Sequence, residues 1–426
     1  MRKILVVLHR YAGLALAVFM VIVGLTGSLL AFTTQIERVI APQLFASSHS
    51  GPPLDAATLI ERAQNVDARL DIVGVELKDE GRAQLAFVPR VDPATGRRFA
   101  LDFTQIFVDP STGAELARRR YGDLSQGLVN AMPFIRLLHG DLLARGTGTR
   151  VLGWIAVLWT LDCFVALYLT LPRWHTSTSS GGGPGWLTRW KASWLVQWRR
   201  SAFRLNFDLH RAGGLWVWLL LLMFAWSSVY LNLHWVYAPI TGAVLDYPAN
   251  NNHGGVRPRL AQPLRVPGVN WHQAQERATV ELTKAGLSLT RVESLSYSAA
   301  LGIYTYRVAT NKDFQTTGGR TYVLVDGNAG SLVELRLPSG QHSGLTFTNW
   351  IYALHMANVF GLPYRIVVFL VGLVMTVLSV TGVYLWWKKR GFRVRIGMHA
   401  VWSRRDGQPS RLPRSASPQM EGADLR

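Results

Sequence analysis

Four histidines stand in related settings along the chain: His9 in Leu8-His9-Arg10, His210 in Leu209-His210-Arg211, His139 after Leu138 and His355 after Leu354. The first two open long apolar runs, and the other two lie shortly ahead of further apolar runs. A neutral imidazole offers a metal its nitrogen lone pair without burying a fixed charge, so it suits a ligand site inside an apolar layer. Two imidazoles facing one another across a helix pair can take both axial positions of a haem iron, a six-coordinate arrangement suited to electron transfer. By face the four residues make two pairs, His9 with His210 and His139 with His355. That reading calls for two haem b groups, one near each membrane surface, and for a path for electrons between them. A lone histidine at a membrane interface is more often a hydrogen-bonded or snorkelling side chain; the repetition argues for ligation. Zinc or copper fits less well, because Cys or carboxylate partners at ligand spacing are missing.

Two further residues bear on the same chemistry. His234 ends an apolar run beside Trp235 and Tyr237, where it reads either as an auxiliary haem ligand or as a member of an aromatic belt. Asp162 lies in the middle of an apolar run, where a carboxylate is costly unless paired, so it reads as a buried hydrogen-bond partner or a proton relay. His49, His175, His253, His272, His342 and His399 have no repeated counterpart and read as surface residues.

The elements that must position these side chains are membrane helices. The 426-residue chain is 49% hydrophobic and only 17% charged, which turns the first question to insertion. Crossing the hydrocarbon layer takes roughly 20 apolar residues as helix. Four stretches qualify: Tyr11 to Phe32, Val151 to Leu171, Leu215 to Leu233, and about Tyr364 to Trp387. The formal charge of +19 resembles a nucleic-acid signal, but its basic residues flank spans. Arg2, Lys3 and Arg10 precede the first span; Arg189, Lys191, Arg199, Arg200 and Arg204 lie between the second and third; Lys388, Lys389 and Arg390 follow the fourth. That asymmetry puts both termini in the cytoplasm and argues against nucleic acid as a partner. The single cysteine, Cys163, sits inside the second span, so neither segment outside the bilayer can form a disulfide.

The chain is written twice. Leu8-His9-Arg10 with Gly13-Leu14 recurs as Leu209-His210-Arg211 with Gly214-Leu215, Ile135 with Leu138-His139 as Ile351 with Leu354-His355, and Val108-Asp109 with Gly113 as Val325-Asp326 with Gly330. The apolar core after Arg2 and Lys3 resembles a signal peptide, but a motif used twice in corresponding places argues that the first span is retained. The fold class is membrane α-helical, with four transmembrane helices in two tandem halves and an α+β domain inserted between the helices of each half. The order is a first transmembrane helix in 1–36, an extracytoplasmic domain in 37–132, an interfacial helix and second span in 133–174, and a Ser/Gly-rich cytoplasmic linker in 175–204. A third span in 205–236, a second domain in 237–347, an interfacial helix and fourth span in 348–390, and a basic, disordered tail in 391–426 complete it.

Taken together and in order, Leu8-His9-Arg10-Tyr11-Ala12-Gly13, Leu209-His210-Arg211-Ala212-Gly213-Gly214, Leu138-His139-Gly140, Leu354-His355 and Thr381-Gly382-Val383-Tyr384-Leu385-Trp386-Trp387 resemble the PepSY-associated transmembrane family. That family includes inner-membrane siderophore reductases and iron-regulated membrane proteins. The resemblance covers nearly the whole chain. It implies PepSY-like domains in the periplasm, a bacterial inner-membrane location, haem ligands at His9, His139, His210 and His355, and reduction of ferric-siderophore iron. Leu169-Thr170-Leu171-Pro172-Arg173-Trp174 departs from the family's ending of the second span. No Gly-x-Gly-x-x-Gly context accompanies the spans, so the electrons must come from quinol or a separate cytoplasmic reductase. The competing reading is a non-enzymatic anchor whose domains bind or regulate a periplasmic protease or peptide; a transporter is the third.

Overall fold

The computed structural model describes residues 1–46, 51–78, 81–173, 185–248 and 258–405. Its first half runs α1 (Arg2–Leu30), α2 (Thr33–Ile40), α3 (Ala56–Ala63), β1 (Leu70–Lys78), β2 (Arg82–Pro89), β3 (Gln105–Val108), β4 (Glu115–Arg119), α4 (Ala131–Asp141) and α5 (Gly146–Thr170). After the short connecting α6 (Trp186–Lys191) comes the second half: α7 (Ala202–Trp216), α8 (Trp218–Asn232), α9 (His234–Gly242), α10 (Trp271–Lys284), β5 (Leu289–Ser298), β6 (Ile303–Thr310), β7 (Thr321–Asp326), β8 (Leu332–Arg336), α11 (Ser343–His355) and α12 (Gly361–Arg405).

Helices α1, α5 and the Gly361–Arg390 part of α12 are each long and apolar enough to cross a membrane. The expected third span, Leu215 to Leu233, falls almost wholly on α8, which meets α7 at Val217 with a bend of 68°. Gly213 and Gly214 just before the break weaken the helix there, and Trp216 and Trp218 secure the two arms by donating indole N–H bonds to the Trp194 and Cys163 carbonyls. α12 also runs past the expected end at Trp387 to Arg405, into the stretch read as a disordered tail. The remainder of that tail, and the linker from His175 to Pro184, lie outside the described residues.

The bundle crosses between halves: α1 packs along α12, and α5 packs along α8. At the first crossing the backbones nearly touch, since a Cβ on Gly24 would stand 2.8 Å from the Gly372 carbonyl oxygen. Ser28 Oγ, one turn from Gly24, donates across the same contact to the Phe369 carbonyl at 2.8 Å. Small residues with a hydroxyl among them are the usual means by which helices approach closely in lipid, where no hydrophobic force brings them together.

All eight strands form one antiparallel sheet in the order β4-β3-β2-β1-β5-β6-β7-β8. The two inserted modules are thus joined edge to edge through β1 and β5, with Val75 opposite Leu295. Pairing the two inner edges removes the exposed edge that each four-stranded module would otherwise present there. Strand alternation then separates two faces. Val75, Ala83, Tyr306 and Val323 point into a core closed by α3 and α10, through Leu59, Ile60, Ala278 and Leu282. Their neighbours Glu76, Arg82, Arg307 and Tyr322 point the other way and line a cavity. Both covering helices begin on side-chain caps: Asp55 accepts from Thr58 N–H, and Asn270 with Gln273 forms a reciprocal capping box.

Candidate functional site

Two imidazole pairs stand in the helical bundle. His9 on α1 faces His210 on α7 with ring centres 6.1 Å apart, tilted by 56°. His139 on α4 faces His355 on α11 with ring centres 6.4 Å apart, tilted by 68°. The first pair sits near the start of α1, away from the sheet, and the second near the sheet-side ends of the bundle. Each pair takes one histidine from each half.

Within each half, the Nδ1 side of every ring is fastened. His9 Nδ1–H donates to the Asp162 carboxylate on α5 at 2.9 and 3.0 Å. His210 Nδ1–H donates to the Leu378 carbonyl on α12 at 3.0 Å. His139 Nδ1–H donates to Thr26 Oγ1 on α1 at 3.0 Å, and His355 Nδ1–H to Ser227 Oγ on α8 at 2.7 Å. Both hydroxyls give their own hydrogens to backbone carbonyls, Thr26 to Ile22 at 2.6 Å and Ser227 to Phe224 at 3.1 Å, so toward the imidazoles they act as acceptors. The Leu378 carbonyl and the Asp162 carboxylate take a hydrogen from Nδ1, and the Thr26 and Ser227 hydroxyls do the same when they give their own hydrogens to the helix carbonyls. A neutral ring with its hydrogen on Nδ1 presents Nε2 as a bare lone pair, the state a metal ligand requires.

The geometry can be tested against haem. An imidazole nitrogen lies about 1.1 Å from its ring centre and binds a first-row metal at about 2.0–2.1 Å. Two imidazoles on opposite sides of one iron therefore have ring centres roughly 6.3 Å apart. The separations of 6.1 and 6.4 Å match that spacing. Among the described residues no group of three or more His, Cys, Asp or Glu could hold a metal ion. A bare ion between either pair would have two protein ligands only, whereas haem brings its own equatorial nitrogens. The residues present fit the group.

Two glycines leave room for the rings. A Cβ on Gly27 would stand 3.1 Å from His139 Cε1, and one on Gly382 would stand 3.2 Å from His210 Cε1. Both distances are closer than carbon atoms comfortably pack.

The family model of the PepSY-associated TM region matches residues 6–389. The chain belongs to that family. No curated protein matches it. In this PepSY-associated membrane protein the match takes in both imidazole pairs, the membrane-length helices among the described residues from Val6 as far as Lys389, and the whole sheet.

The other sequence candidates fall outside the pairs. His234 begins α9 and packs against Tyr230, Tyr237 and Tyr247, with ring centres 5.7, 6.4 and 6.2 Å away. His272 is exposed and His342 half-buried, and both meet carboxylates, Glu61 at 3.1 Å and Asp246 at 2.8 Å. His49, His175 and His253 lie outside the described residues. Cys163 is a buried free thiol on α5. Asp162 is the hydrogen-bond partner of His9. The supporting residues that sequence reasoning missed are Thr26 and Ser227. They were legible in principle: each is a hydroxyl in an apolar run, and the spacing between them equals that between His9 and His210.

Proposed function

We propose that this PepSY-associated membrane protein is a haem-binding oxidoreductase that carries electrons across a bacterial inner membrane to ferric-siderophore iron in the periplasm. Both termini would face the cytoplasm and the eight-stranded sheet the periplasm, following the basic residues that flank the spans. The observation that carries the reading is the double pairing, in which four imidazoles, all held through Nδ1, meet two by two at the spacing of a shared iron.

His9 with His210 would hold one haem b, and His139 with His355 a second. When bound, haem would supply reversible one-electron storage. The chain's own residues hold the imidazoles in one orientation and exclude rearrangement by fastening each ring to a helix of its own half. Every ferric ion reduced takes up one electron, supplied from quinol or a separate cytoplasmic reductase; the ferrous product is weakly held by siderophores and leaves the chelate.

The test is pigment content of the purified full-length protein. Wild type should be red, with a spectrum that shifts on dithionite reduction. His9→Ala and His210→Ala should each remove the same fraction of the haem, their combination no more than either alone, and His139→Ala or His355→Ala the remainder. A colourless wild type grown with ample haem would refute the proposal and favour the anchor reading. Four variants with full haem content would do so too.

A further inference from the structure

A cavity of about 550 Å³ opens between the inward face of the sheet and the sheet-side ends of the helices. That volume accommodates a compact organic ligand or chelate. Its roof is the seam of the two halves, with Glu76 on β1 and Glu293 on β5, and its floor is next to the sheet-side imidazole pair. Arg136 and Tyr352 in its wall precede His139 and His355 by one helical turn, and Met356 directly follows His355.

The lining is strongly cationic. Arg82, Arg136, Arg307, Arg320 and Arg365 face the cavity, against two glutamates. The acids are already engaged: Glu76 with Arg307 at 2.8 Å and Glu293 with Arg291 at 2.6 Å. Arg82 is matched to Glu37 at 2.7 Å. Arg136, Arg320 and Arg365 have no carboxylate partner among the described residues, and Arg320 lies over the Tyr352 ring at 4.3 Å. Arg136 is exposed and Arg320 and Arg365 are half-buried, so their guanidinium groups are open to the cavity. A ligand with several anionic oxygens would meet these three with charge-assisted bonds, and a positive concavity with low-dielectric walls concentrates anions before they bind.

We infer that this cavity is the substrate site, and that it selects ferric chelates carrying net negative charge through carboxylate-type oxygens over neutral or cationic ones. The inference rests on the reading that the sheet-side imidazoles hold the group that reduces the chelate, and it adds the chemical class of the chelate. The cavity brings bound ligand to within a helical turn of that imidazole pair, and Arg136, Arg320 and Arg365 supply the selectivity.

The experiment uses the full-length protein in nanodiscs of neutral phosphatidylcholine, titrated calorimetrically with gallium citrate, a redox-inert mimic of the ferric chelate. We expect saturable binding that weakens as salt is raised. Gallium desferrioxamine, a cationic hydroxamate chelate, should bind at least tenfold more weakly. Arg136→Gln and Arg365→Gln should each weaken gallium citrate by about tenfold, the scale of one charge-assisted bond, while haem content and spectrum stay at wild-type values. Arg365→Lys should retain more of the affinity than Arg365→Gln. The inference is overturned if gallium citrate does not bind saturably, if both chelates bind alike, or if the Arg→Gln variants bind as wild type. It is equally overturned if those variants lose haem, which would make the arginines partners of haem carboxylates, or if anionic lipid alone saturates the site. A wild type that binds gallium citrate but contains no haem would sink the functional proposal and leave the cavity assignment standing.

Discussion

His9 is held through Nδ1 by the Asp162 carboxylate at 2.9 Å, whereas His210, its partner across the pair, is held by the uncharged Leu378 carbonyl at 3.0 Å. Asp162 and Leu378 stand at matching places in the two halves, because their separation equals that of His139 and His355. The duplicated fold is therefore electrically unequal at one point, and that point touches an iron-binding candidate. A carboxylate behind an imidazole makes it a stronger electron donor to a metal than a carbonyl does.

On the proposed reading, Asp162→Asn should raise the midpoint potential of one haem and leave the other unchanged, since only the pair containing His9 loses a charge. The shift should be tens of millivolts, with about 59 mV corresponding to a tenfold change in relative affinity for the two oxidation states. A potentiometric titration followed by absorbance checks it; identical potentials in wild type and variant would show that the carboxylate only positions the ring.

The two glycines beside the rings give a site-by-site control. Ala at Gly27 would press on His139 Cε1 from 3.1 Å, which a small ring shift relieves; the branched Val would not fit without moving the imidazole. On the proposed reading, Gly27→Val should therefore lose the sheet-side pigment and keep the other. Gly382→Val, against His210 at 3.2 Å, should do the reverse. Haem quantification with reduced-minus-oxidised spectra distinguishes the two.

Glu37 on α2 is 2% exposed and accepts from Arg82 Nη2 at 2.7 Å and Arg119 Nη1 at 2.8 Å, joining α2 to strands β2 and β4. Removing its carboxylate strands two buried guanidinium groups. Glu37→Ala should cost about 3–5 kcal/mol and Glu37→Gln less, read as a lowered unfolding temperature in detergent. Equal stability of Glu37→Ala and wild type would mean that water reaches these arginines.

Asp67, in the turn before β1, accepts from the Arg69 guanidinium at 3.0 and 2.8 Å and from Arg118 of β4 at 2.6 Å. Arg69 first, then Arg118, holds its carboxyl well below the usual carboxylate range. A depressed folded-state value means that its stabilisation is fully present above the unfolded value of about 4 and is lost as pH falls through the lower folded one. Asp67→Asn should therefore lose about 1.5–3 kcal/mol at neutral pH, with the gap to wild type closing only below about pH 4. Thermal unfolding across that range decides it; a gap independent of pH would assign the loss to packing.

Composition and apolar run lengths were enough to read a membrane protein, and the repeated Leu-His motifs to group His9 with His210 and His139 with His355, because run length and repetition are properties of one dimension. What one dimension does not hold is how the halves meet. The joining of β1 to β5 into a single sheet, the crossing of α1 against α12 at Gly24 and Gly372, and the 68° bend at Val217 follow from contacts between residues hundreds of positions apart or from competition among packed neighbours. The same holds for the orientation of the rings: only the fold brings Thr26, Ser227, Asp162 and the Leu378 carbonyl to the Nδ1 atoms. The arginine-lined cavity belongs to neither half alone, since its charges come from both strand sets and both helix sets and converge only once sheet and bundle are stacked.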